Sequence, residues 1–166
     1  MPWDIIIRIS HVIGTVLGVG GATMSQIFIF KALSDGKVSK TEDQWLKITY
    51  TVLRIGLVVL VISGFAFLLH SRLEGFEERL YSARTWSKII MTLIILINAV
   101  LLQVRRIPFW LGSSVSLVSW YGSLVLGVWR GLTAGYLGIF SVYIIAIFVV
   151  AFILEKIRQR MKISKL

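Results

Sequence analysis

Five long apolar stretches punctuate this chain and decide what it can fold into. They run from about Trp3 to Phe30, Trp45 to Leu69, Trp86 to Val104, Phe109 to Trp129 and Tyr136 to Leu154. Each approaches or exceeds the ~20 residues a helix needs to cross a hydrocarbon core. The eight acids (Asp4, Asp35, Glu42, Asp43, Glu74, Glu77, Glu78, Glu155) all fall between these stretches or at their ends. An open sheet leaves its edges unsatisfied in lipid, and the stretches lack the alternation of a barrel strand. The predicted fold is an all-α, polytopic transmembrane bundle of five spans, or of four if the last two stretches are misread. It forms a single transmembrane domain over residues 1–166, with 155–166 as a basic cytoplasmic tail. The first stretch is too long for a signal peptide and reads as a retained helix.

Composition narrows the function classes. The chain is 57% hydrophobic and carries a formal charge of +10. That charge does not point to nucleic acid. The basic residues flank the apolar runs, where they set topology and meet anionic headgroups, so the first partner is the lipid bilayer. There is no cysteine, which excludes disulfides, thiolate metal sites and cysteine-ligated iron–sulfur clusters.

The connections have distinct characters. "KALSDGKVSKTEDQ" reads as a polar loop with a helix start near Thr41. "HSRLEGFEERLYSARTWSK" reads as a short amphipathic segment at the interface. Pro108 ends the third span by disfavouring helix at the residue before it, and "RGLTAG" reads as a tight turn. With the tail and its Lys156, Arg158, Arg160, Lys162 and Lys165 in the cytoplasm, the basic residues split eleven inside to six outside, Arg54 lying within a span. The positive-inside rule then puts the N-terminus outside a bacterial inner membrane. Trp3, Trp86, Trp110 and Trp129 lie near span ends, as an aromatic belt requires.

The chain's two histidines, His11 and His70, fall at corresponding ends of the first two spans. With the turn taken at about residues 34–44, their depth mismatch is ~5 Å at 1.5 Å per residue. Two imidazoles can ligate haem iron, and helical bundles build such sites from facing side chains. Gly14 and Gly18 share the His11 face, and their spacing either lets a neighbouring helix approach or clears room for a macrocycle. Arg8, Arg72, Arg84 and Lys88 lie on the same side, placed to meet haem propionates. The plainer alternative makes both histidines interfacial and the glycine stripe a packing surface. Copper is the other metal candidate through Met24 and Met91, but Met24 lies much deeper than His11 and no methionine cluster exists.

Other chemistries find little support. Arg54 has no intramembrane acid to pair with and is expected to snorkel or to bond Ser25, Gln26, Tyr50 or Gln103. The absence of any intramembrane carboxylate argues against a proton pump or cation antiporter. Ser10 and His11 are adjacent on a helix and point to different faces, so they make no hydrolytic pair.

"SHVIGTVLGVGGATM" and "YSARTWSKIIMTLIILI" resemble the copper-resistance protein D family and related small bacterial integral membrane proteins. The likeness covers about the first three spans and rests on His11, Gly20–Gly21 and Lys88. The resemblance implies a helical bundle with a metal or haem ligand near the outer face. The expectation is a small membrane cytochrome-like protein, an electron carrier rather than an enzyme. It would hold a b-type haem between His11 and His70 for electron transfer or redox sensing, with a membrane or periplasmic redox partner and with homo-oligomerisation left open. The alternatives are a copper-handling or solute-transport protein, and a cofactor-free structural subunit packing on a larger partner through its glycine stripe.

Overall fold

The computed structural model describes residues 2–35, 39–129 and 131–163. They form helices α1 (Pro2–Asp35), α2 (Lys40–Leu73), α3 (Glu77–Leu80), α4 (Ala83–Gln103), α5 (Phe109–Val128) and α6 (Tyr136–Ile163), with no strand among the described residues. All except the one-turn α3 are long and apolar enough to cross a membrane. The chain is thus an all-α, multi-pass membrane protein.

Local chemistry moves the helix ends beyond the apolar runs. Ser39 accepts from the Glu42 amide while the Glu42 carboxylate accepts from the Ser39 amide. This reciprocal capping box satisfies two orphan amides and starts α2 at Lys40, five residues before the apolar stretch begins. The Ser82 side chain caps α4 by accepting from the Thr85 amide. The amphipathic segment expected after His70 shrinks to α3, because α2 continues to Leu73 and Gly75 then turns the chain at φ +73°. α4 ends at Gln103, and Arg105 sits in the left-handed region at φ 54° before Pro108 caps α5. α6 runs on through Ile163 and so takes in most of the basic stretch. Gly36, Lys37, Val38, Arg130 and residues 164–166, parts of the expected loop, turn and tail, lie outside the described residues.

Packing follows the small residues. α1 and α2 are antiparallel and so close at Gly14 that a methyl there would lie 2.7 Å from the Leu60 backbone nitrogen. Gly56 returns the contact, 2.9 Å from the Gly18 nitrogen by the same measure. This is small-residue helix association, in which bare backbones replace side-chain bulk. Trp120 of α5, 1% exposed, presses its ring into the notch at Gly18. It joins Ala22, Leu60 and Ile95 in one buried cluster, while Met91, Val118, Leu126, Ile139 and Tyr143 make a second among α4, α5 and α6. Asn98 donates to the Gly112 carbonyl at 2.8 Å and ties α4 to α5. Large apolar side chains such as Phe65, Leu137 and Phe148 point outward, as lipid-facing positions do.

Candidate cofactor site at the histidine end

The register of the α1–α2 pair positions both histidines. His11 faces Ser63, Gly14 faces Leu60, Gly21 faces Leu53, and Asp4 faces His70. His11 and His70 are therefore offset by seven residues of this register, or ~10 Å along the helices. This corrects the expected ~5 Å. The cause is the turn, since α1 extends to Asp35 and the capping box starts α2 at Lys40. The loop is shorter than its polar composition suggests, and the pairing slides.

His11 is half-buried and oriented. Its Nδ1 lies 3.0 Å from Ser63 Oγ. Ser63 is itself within 2.6 Å of the Val59 carbonyl oxygen, to which it donates. A hydroxyl has one proton, so a Ser63 that donates to Val59 would accept from His11, with the imidazole hydrogen on Nδ1. Nε2 is left with the lone pair, the form in which a neutral histidine ligates a metal. A hydrogen bond on the far ring nitrogen is also how metal-ligating histidines are held. The ring stands edge-on to Phe67, centroids 5.3 Å apart.

His70 lies one turn beyond Phe67. Its Nε2 is 3.8 Å from Asp4 Oδ1, and Asp4 Oδ2 accepts from Arg8 Nε at 2.9 Å. Asp4, Arg8, Phe67, His70, Ser71 and Glu74 line a cavity of about 290 Å³. Phe67 thus touches His11 on one side and this cavity on the other.

The four expected cations share this end but differ in freedom. Arg8 is paired with Asp4. Arg84 donates to the Trp129 carbonyl at 3.2 Å, closing α4 against the end of α5. Arg72 is exposed. Lys88 is partly buried on α4.

The glycines belong to packing. A side chain at Gly14 would meet α2 backbone, and one at Gly18 would run into the Trp120 ring. The room expected there for a macrocycle is filled by protein. The same fact removes the stripe as a docking surface for a larger partner, although Gly20 borders open space. Met24 lines an apolar groove of about 400 Å³ with Phe28 and Trp45, while Met91 is buried beside Gly122, so neither joins a histidine. Among the described residues no three histidine or carboxylate side chains are grouped to hold a metal ion.

Sequence reasoning missed Asp4 and Trp120. Asp4 was readable from its i, i+4 spacing to Arg8, and Trp120 from its place in the middle of a span rather than at a belt. No family model, curated protein or solved structure matches this chain.

Proposed function

We propose that this chain is a small membrane cytochrome-like protein that holds a b-type haem at its histidine end, with His11 and His70 as the ligands. The observation that carries the reading is the Ser63 hydrogen bond, which leaves His11 Nε2 as the ligating nitrogen. The donor set fits the group. Two imidazoles stand at one end of an antiparallel helix pair, and Lys88, Arg84 and Arg72 supply positive charge at that end. The Gly14 and Gly18 notches do not supply the room, so the Phe67 ring must turn out of the space between His11 and the His70 cavity. Held by His11 and His70, a haem would supply one-electron transfer rather than oxygen chemistry. The residues' part is to fix one imidazole through Ser63, hold the other beside Asp4, and offset the propionate charge.

The resemblance to the copper-resistance protein D family, through His11, Gly20–Gly21 and Lys88, supports a ligand at the same end. The bias of lysine and arginine toward the opposite end supports a histidine end outside an inner membrane and a cytoplasmic C-terminus. The test is haem content per chain after purification from cells supplied with haem precursor. The expected result is haem in the wild type and its loss in His11→Ala and in His70→Ala. Haem content unchanged in both variants would overturn the ligand assignment.

A further inference from the structure

Hydroxyl side chains inside this bundle have a habitual partner. Thr15, Thr23, Ser25, Thr49, Ser63, Thr92, Ser114 and Ser119 each donate to the carbonyl four residues earlier in their own helix. That bond removes the cost of an unsatisfied donor in an apolar medium. Ser87, Ser113 and Ser123 break the pattern, as each Oγ is buried with no partner among the described residues. Ser87 is fully buried at 0% exposure.

Two of these three exceptions lie on the facing helices α4 and α5. Along the α4–α5 pair, Asn98 bonds Gly112, Met91 packs on Gly122, and Arg84 bonds Trp129. Ser87 lies one turn from Met91 toward Arg84, and so comes within about a turn of Ser123 on the facing helix. Both hydroxyls thus lack the intrahelical bond within about one turn of each other along one helix pair.

We propose that Ser87 and Ser123 form a buried hydration site between α4 and α5 that holds ordered water beside Met91. The ligand is water, because the site offers hydroxyls only and each buried hydroxyl needs a small partner that both donates and accepts. This site is separate from the histidines and does not depend on any cofactor.

Radiolytic hydroxyl-radical labelling of the detergent-purified full chain tests it, with water itself as the probe. Met91 is 2% exposed and reports through conversion to the sulfoxide. Bound water beside it generates radicals in place, so Met91 is expected to be oxidised in the wild type. Oxidation is expected to fall several-fold in the Ser87→Ala/Ser123→Ala double variant, checked for wild-type helicity and elution. An unoxidised Met91 in the wild type overturns the proposal without any variant, and equal oxidation in the double variant overturns it as well.

Discussion

His11 and Ser63 face each other across the α1–α2 interface, Nδ1 to Oγ at 3.0 Å, and the serine's own proton is committed to the Val59 carbonyl. One hydroxyl thereby ties two helices together and selects the tautomer of the histidine. Removing either partner strands the other, so their effects on stability are expected to be non-additive. In a double-mutant cycle of His11→Ala and Ser63→Ala, followed by unfolding in mixed micelles, the coupling should be ~0.6 kcal/mol and no more than ~1.7 kcal/mol, the span measured for such bonds in membranes. Strict additivity would mean that the bond does not form.

The glycines of α1 make a sharp internal contrast. A side chain at Gly18 collides with the Trp120 ring, whereas one at Gly20 meets nothing within 4 Å. Gly18→Leu is expected to destabilise the bundle by at least the ~1–3 kcal/mol typical of overpacking. Gly20→Ala should be neutral or stabilising by up to ~1 kcal/mol through helix propensity. Equal effects at the two sites would contradict the packing described.

The register is open to a direct chemical test, because the chain contains no cysteine. Asp4 faces His70, and His11 lies seven residues off that level. A short bifunctional thiol reagent should join an Asp4→Cys/His70→Cys double variant readily, because those two side chains meet. His11→Cys/His70→Cys should be joined far less, since the two positions are offset by ~10 Å along the helices. A reversed order would restore the smaller mismatch that the polar loop suggests.

Single cysteines also report topology. Glu74 lies at the histidine end, and Arg106 follows α4 at the opposite end. In intact cells an impermeant thiol reagent should label Glu74→Cys and spare Arg106→Cys. The reverse pattern would invert the proposed orientation, and labelling of both would contradict the five-span topology.

The architecture was legible because lipid makes it so. Apolar length and the placement of the acids lead to five helices without reference to tertiary contacts. The helix start near Thr41 was also legible, and the Ser39–Glu42 capping box puts it one residue earlier, at Lys40. What did not follow from sequence was the sliding of α1 against α2. A change of a few residues in loop length moves every facing pair, and nothing in a polar loop announces its length in space. The use of Gly14 and Gly18 was undecidable for a related reason, since the same spacing admits a helix or a ligand. The structure fills Gly18 with Trp120, a residue more than a hundred positions away. Arg54 is exposed on α2.

The haem reading stands or falls on a visible absorption spectrum of the purified wild-type chain, oxidised and then reduced with dithionite, from cells with ample haem precursor. The account predicts a Soret band and sharp α and β bands on reduction, the signature of iron held by two strong ligands. A flat spectrum under full haem supply would contradict it and return His11 and His70 to structural roles, the one a tie to Ser63 and the other a neighbour of Asp4.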